Sequence, residues 1–112
     1  MTDKELLDLA AKTIDARRTR YTEDRMFQIH YWPEGYEKDW EYWDPLEDDG
    51  HALRLAVKLG MYLNIYTNQE LRITNVGAAS HHLITEQHGQ DPCAATRRAI
   101  VRAAAEIGKA IK

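Results

Sequence analysis

Cysteine is almost absent from this chain of 112 residues, which contains a single one, Cys93. One thiol cannot form an internal disulfide, and this sparing use of cysteine is typical of a reducing compartment. Long hydrophobic runs are also missing, because no apolar stretch approaches the roughly 18 residues that span a bilayer. The N-terminal stretch MTDKELLDLAAK mixes charges into its apolar pattern, unlike a signal peptide. We therefore expect a cytoplasmic protein that does not bind membranes.

Motifs for metals, cofactors and catalysis are equally scarce. The sequence has no phosphate loop, dinucleotide fingerprint or serine triad. The aspartates that follow Asp44 miss the calcium-loop pattern, because Leu46 and Asp49 occupy positions that require an acid and a glycine. The histidines between 81 and 88 lack a second cluster of ligands at zinc-site spacing. These absences predict no metal, no cofactor and no catalytic residues, so we expect a protein that is not an enzyme.

Charge is plentiful but unevenly distributed. The chain has 15 basic and 18 acidic residues, which gives a formal net charge of −3. Eight of the acidic residues fall between 34 and 49: Glu34, Glu37, Asp39, Glu41, Asp44, Glu47, Asp48 and Asp49. Such a block favours a basic partner and repels nucleic acid, so we do not expect direct binding of nucleic acid.

Aromatic residues are concentrated in the same region, since seven of the ten lie between Phe27 and Trp43. The alternation of residues 26–32 predicts a strand, Pro33 and Gly35 predict a turn, and residues 36–43 predict a second strand that returns along the first. Only one face of this hairpin can pack on a core. Two arrangements remain open: the outer rings form a binding surface, or a helix covers them and they complete the core.

Helix signals are clearest at three places. Thr2 and Glu5 have the spacing of a capping box, Asp48 or Asp49 can cap a central helix that we expect to be largely buried, and Asp91 precedes a long C-terminal helix. Residues 17–20 are predicted as a loop. Residues 61–67 and 71–76 alternate as strands, with Leu71 and Ile73 expected to face inward, and another strand is expected near 81–87.

These elements predict one α+β domain over residues 1–112. Its fold is an antiparallel sheet of about four strands packed with three helices, N-terminal, central and C-terminal, in a sandwich-like arrangement.

Two stretches, WDPLEDDGHALRLAVKLG (43–60) and DPCAATRRAIVRAAAEIG (91–108), resemble small proteins encoded by tailed phages and prophages. Some of these are grouped as phage ABA-sandwich domains, in which a sheet lies between helical layers. The two stretches cover about a third of the chain, and its helical start extends the likeness. The resemblance implies a phage origin, hence the cytoplasm of a bacterial host, and that fold, but no established activity.

Our main hypothesis is a non-enzymatic accessory protein that binds and inhibits a host protein, most plausibly a component of antiviral defence, as anti-CRISPR proteins do. The acidic aromatic hairpin would supply the contacts, because exposed rings surrounded by carboxylates are typical of interface hot spots. The residues we assign to partner binding are Trp32, Glu34, Tyr36, Glu37, Asp39, Trp40, Glu41 and Trp43.

Two alternatives come from other parts of the sequence. The first is a homo-oligomer that sequesters a signalling nucleotide with Tyr62, Tyr66, Arg97, Arg98 and Arg102, since arginine pairs with phosphate and tyrosine stacks on bases. The second is a hydrolase that uses Cys93 in the first turn of the last helix, where the helix dipole lowers a thiol pKa. His82 or His88 would then supply the base.

Overall fold

The computed structural model describes residues 1–31, 40–68, 70–78 and 83–111. Its helices are α1 (Asp3–Lys12), α2 (Asp49–Lys58) and α3 (Pro92–Lys109), and its strands are β1 (Arg18–Tyr21), β2 (Phe27–His30), β3 (Glu41–Tyr42), β4 (Tyr62–Thr67), β5 (Arg72–Gly77) and β6 (Ile84–Gln87). The strands form two antiparallel sheets, sheet A in the order β1-β2-β3 and sheet B in the order β4-β5-β6. The α+β class is confirmed, whereas the prediction of about four strands in one sheet is wrong.

Each helix begins at a cap that the sequence predicts. The Thr2 hydroxyl accepts a hydrogen bond from the Glu5 N–H at 3.1 Å, and the Glu5 carboxylate accepts one from the Thr2 N–H at 3.3 Å. Asp48 caps α2 and Asp91 caps α3, with Pro92 in the first turn of that helix. These side chains satisfy backbone donors that helix geometry leaves free, which fixes where each helix starts.

The prediction of a loop at residues 17–20 is wrong, because β1 pairs with β2 there. The side chains of Thr19 and Tyr21 point toward the core. The Thr19 hydroxyl donates to the Asp8 carboxylate of α1 at 2.6 Å, and the Tyr21 ring meets the Phe27 ring edge-on at 5.4 Å. Tertiary contacts therefore impose strand geometry on a segment whose arginines gave no local strand signal.

The inward face of β5 is also shifted by one residue from the prediction. Thr74 and Val76 are fully buried, whereas Leu71 is 39% exposed. A buried threonine is stable here because its hydroxyl has two partners, the His88 ring at 2.8 Å and the Thr96 hydroxyl at 2.8 Å. A pattern of apolar residues cannot reveal a polar residue at the centre of the core face.

Helix α2 is less buried than the sequence predicts. Its buried residues are Ala52, Leu55 and Ala56, while Leu53 and Val57 are 58% and 72% exposed. The helix therefore covers the core along one narrow stripe, and its other apolar side chains remain at the surface.

Helix α3 connects the two halves of the fold. It contacts β5 and β6 of sheet B, as well as α1 and α2, and α1 in turn contacts β2 of sheet A. Contacts thus run from one sheet through the helices to the other. The buried residues of α3 are small or apolar: Ala95, Ala99, Ile100, Val101, Ala103, Ala104, Ala105 and Gly108.

Gly108 is the point of closest approach between α3 and α1. A Cβ atom at this position would lie 2.0 Å from the backbone oxygen of Leu9 and 2.7 Å from its carbonyl carbon. Backbone atoms cannot move aside as the end of a side chain can, so α1 and α3 keep this spacing only with glycine at position 108.

We expect Gly108→Ala to lower the free energy of unfolding by about 1–3 kcal/mol or more, the usual cost of overpacking a core. Gly50→Ala is the matched control, because a Cβ there meets only the side-chain ends of Asp48 and Arg54, at 3.2 Å or more. The control change should stay within about 1 kcal/mol of the parent, since alanine is the better helix former. Urea denaturation measures both, and equal stability of the two variants would contradict the close contact.

Candidate functional site

The outer face of sheet A carries a set of aromatic, basic and amide side chains from all three strands and the residue before β3. Register pairs Arg18 with His30, Arg20 with Gln28, and Gln28 with Tyr42, and directly opposed residues in an antiparallel sheet share a face. We use "the outer face of sheet A" for this set together with Trp40: Arg18, Arg20, Gln28, His30, Trp40 and Tyr42.

Trp40 is held on this face by stacking. The Arg20 guanidinium carbon lies 4.2 Å from the centre of the Trp40 ring, and the His30 ring lies 5.0 Å from it at an angle of 50°. The Nε–H of Arg20 also donates to the Gln28 side-chain oxygen at 2.8 Å, which fixes the guanidinium. Cation–π and ring contacts of this kind orient a large side chain before any partner arrives.

Trp43 lies on the opposite, inner face. It is 8% exposed, its ring centre is 6.2 Å from that of Phe27, and its backbone N–H donates to the Phe27 carbonyl at 3.1 Å. The assignment of Trp43 as a partner-binding residue is therefore wrong, because its ring fills the core beside Phe27 and Ile29. Trp43 takes the inner position, whereas on the outer face Trp40 is half-buried and Tyr42 is exposed.

The other assigned binding residues divide into two groups. Glu41 lies on β3 and is exposed, beside the exposed Tyr42. Trp32, Glu34, Tyr36, Glu37 and Asp39 lie outside the described residues, and their assignment to partner binding stays a prediction.

Several carboxylates of the acidic block have structural roles. Asp44 is buried, accepts a hydrogen bond from the Leu46 N–H at 3.1 Å, and has a pKa raised by that burial. Asp48 caps α2, and Asp49 pairs with Arg97 at 2.6 Å. Glu41 and Glu47 are exposed. The acidic patch among the described residues is thus narrower than the sequence indicates.

The five residues proposed to bind a nucleotide do not form one site. The arginines all pair with carboxylates of the chain: Arg97 with Asp49, Arg98 with Asp3 at 3.0 Å, and Arg102 with Glu86.

The two tyrosines of that proposal lie on the other side of sheet B. Leu63 and Ile65 of β4 pair with Val76 and Thr74, whose side chains are buried toward α3. By strand alternation, Tyr62 and Tyr66 point to the opposite face, away from α3.

The thiol and imidazole proposed for a hydrolase line different cavities. Cys93 is exposed and lines a cavity of about 360 Å³ between α2, β4 and the start of α3. His88 is 4% exposed, lines a different cavity with Arg98, and bonds through Nε2 to the Thr74 hydroxyl. His82 lies outside the described residues.

Sequence reasoning missed two features of these surfaces. One is the stacking of Arg20 on Trp40, for which the only available signal was the alternation of arginine and polar residues in 18–21. The other is the buried chain of hydrogen bonds from His88 through Thr74 to Thr96, in which the His88 Nδ1 atom has no partner among the described residues. A local sequence pattern cannot predict this series of hydrogen bonds, because the bonded residues are 14 and 22 positions apart in the sequence.

Comparison of the chain with protein families, curated proteins and solved structures finds no match to any of them. Within the described ranges, no group of three or more His, Cys, Asp or Glu side chains is arranged to hold a metal ion. None of the described helices combines the length and apolar character needed to cross a membrane.

The different positions of Trp43 in the core and Trp40 on the outer face of sheet A predict different losses of stability when each ring is removed. We expect Trp43→Ala to cost about 3–5 kcal/mol of unfolding free energy, as large aromatic deletions from a core do. Trp40→Ala removes the contacts with Arg20 and His30 but no core packing, so it should cost about 1 kcal/mol. Urea denaturation of both variants measures this difference. A larger loss of unfolding free energy for Trp40→Ala than for Trp43→Ala would contradict the placement of Trp43 in the core.

Proposed function

We propose that this chain is a non-enzymatic binding protein that engages a partner protein through the outer face of sheet A. The observation that carries the proposal is the position of Trp40, stacked between the Arg20 guanidinium at 4.2 Å and the His30 ring at 5.0 Å. Tyr42 stands beside it and is 39% exposed.

The composition of this face supports protein binding. Tryptophan, tyrosine and arginine are the residues most enriched among interface hot spots, and all three occur together on these strands. A ring that is already fixed by neighbours loses little conformational entropy when a partner covers it. Trp40 and Tyr42 can therefore act as anchors, with Arg20 holding Trp40 in place.

The charge of the region supports a basic partner. Glu41 is exposed on the edge strand β3, with its side chain on the face opposite to Trp40, Glu47 is exposed further along the chain, and the chain as a whole carries a net charge of −3. Exposed carboxylates and a negative net charge attract a basic surface over distances near the Debye length, about 8 Å at physiological salt. Association should then slow as salt is raised.

The resemblance to small phage proteins supports a host protein as the partner. A component of antiviral defence that binds nucleic acid would suit this surface, because its binding groove is basic. The nucleic acid that it normally binds offers negative charge and stacked bases. Carboxylates and aromatic rings on this chain would occupy such a groove and inhibit the enzyme, acting in the cytoplasm of the bacterial host.

Capture of the partner from host lysate tests this proposal. The tagged chain and its Trp40→Ala variant are compared at low and high salt, with Leu71→Ala as the control for loss of an exposed apolar side chain elsewhere, since Leu71 is 39% exposed. We expect a stoichiometric, salt-sensitive host protein on the parent and on the control. Loss of a hot-spot ring costs about 2 kcal/mol or more, so Trp40→Ala should weaken binding by roughly 30-fold.

Equal capture by the folded Trp40→Ala variant would show that the outer face of sheet A is not the binding surface. Capture of no protein by the folded parent would contradict protein binding itself.

A further inference from the structure

The free edge of sheet B is a second surface of interest. Strand β4 forms one side of the sheet and pairs with β5 along its whole length, from Tyr62 opposite Gly77 to Thr67 opposite Arg72. Within the part of the chain that the structure describes, no strand pairs with the other side of β4. Its outward N–H and C=O groups are therefore available to another strand.

The four strands at sheet edges differ in how they are protected. β1 carries Arg18 and Arg20, β3 has two residues of which one is Glu41, and β6 has four residues that include Glu86. β4 has six residues, YLNIYT, with no charge and no proline. Monomeric proteins block their edges with charges, prolines or short strands, and among the described edges β4 lacks all three.

Apolar surface continues from this edge onto the neighbouring helix. Ile65 of β4 is 52% exposed and lines the cavity of about 360 Å³ together with Leu63 and with Leu53 of α2. Leu53 is 58% exposed, and Val57, one helical turn further along, is 72% exposed. A free strand edge bordered by exposed apolar side chains is a surface that a partner normally covers.

We propose that β4 is a homodimer interface, in which the β4 strands of two copies pair antiparallel and join two copies of sheet B into one six-stranded sheet. The order of side chains in β4 favours a second copy as the occupant: Tyr62, Leu63, Asn64, Ile65 and Tyr66 are nearly symmetric about Asn64, and the strand carries no charge that a second copy would oppose. The hydroxyl and amide side chains of β4 both donate and accept hydrogen bonds, so the strand complements itself.

Among the two-fold registers of β4, the one centred on Asn64 places side chains of the same type opposite each other. With a two-fold axis at Asn64, Leu63 lies opposite Ile65 of the second copy, and Tyr62 lies opposite Tyr66. Opposed residues lie on the same face of the joined sheet, as antiparallel pairing requires. In this register an apolar residue opposes an apolar residue, and a tyrosine opposes a tyrosine. The two Asn64 side chains meet at the axis.

Light scattering after size exclusion tests the proposal on the full chain. We expect the parent to show about twice the 13.0 kDa mass of one chain and to dissociate on dilution. Asn64→Lys brings two ammonium groups together at the axis and should raise the dimer dissociation constant by about tenfold or more. Gln87→Lys is the control, because Gln87 is an exposed residue of the other edge strand of sheet B, and it should leave the dimer unchanged.

A monomeric parent over roughly a hundredfold range of concentration would overturn the proposal. So would a folded Asn64→Lys variant that dimerises as tightly as the parent.

A disulfide trap provides an independent readout, in a Cys93→Ser background because the natural thiol is exposed. Opposed residues of antiparallel strands have Cβ atoms about 4.5–5.5 Å apart, close to disulfide geometry. Asn64→Cys should therefore form a covalent dimer on mild oxidation, whereas Asn75→Cys on the central strand should not. Failure of Asn64→Cys to cross-link in a dimeric sample would overturn the pairing centred on Asn64.

Discussion

The close contact between α1 and α3 at Gly108 is the constraint on which the rest of the structure depends. A Cβ atom at that position would lie 2.0 Å from the Leu9 carbonyl oxygen, so the two helix backbones nearly touch. Because α3 also contacts β5, β6 and α2, its distance from α1 sets how both sheets are placed. The hydrogen bond from Thr19 to Asp8 then ties sheet A to α1. A loss of this spacing would propagate to the core and to the outer face of sheet A together.

The division of the hairpin rings follows from that placement. Once the inner face of sheet A packs toward the helices, its space is filled by Phe27, Ile29 and Trp43, which are 0%, 1% and 8% exposed. Strand alternation then forces Trp40 to the other face, where Arg20 and His30 hold it. The two described tryptophans therefore differ in role: Trp43 supports the fold, and Trp40 lies on the outer face of sheet A, where we propose that a partner binds. The carboxylates divide in the same way, with Asp44, Asp48 and Asp49 engaged within the fold.

The sequence predicted the features that depend on interactions between residues close together in the chain, such as the starts of the helices. The caps at Thr2, Asp48 and Asp91 satisfy backbone donors a few residues away, and all three helices begin where those caps require. Features set by distant partners were not predictable in this way. β1 is a strand because β2 pairs with it, and the Thr74 side chain points inward because His88 and Thr96 form hydrogen bonds with it. Sheet B separates Tyr62 and Tyr66 from the arginines of α3. The division into two sheets likewise depends on which strands pair, and periodicity gives no information on pairing.

Trp40 lies on the outer face of sheet A, whereas Trp43 belongs to the core. Hydroxyl-radical footprinting read by mass spectrometry tests this arrangement most directly, because side-chain oxidation follows exposure to solvent. We expect the free protein to be oxidised at Trp40 faster than at Trp43, and a bound partner to suppress oxidation at Trp40 and not at Trp43. Rapid oxidation of Trp43 in the folded protein, or an unchanged rate at Trp40 in the complex, would contradict it.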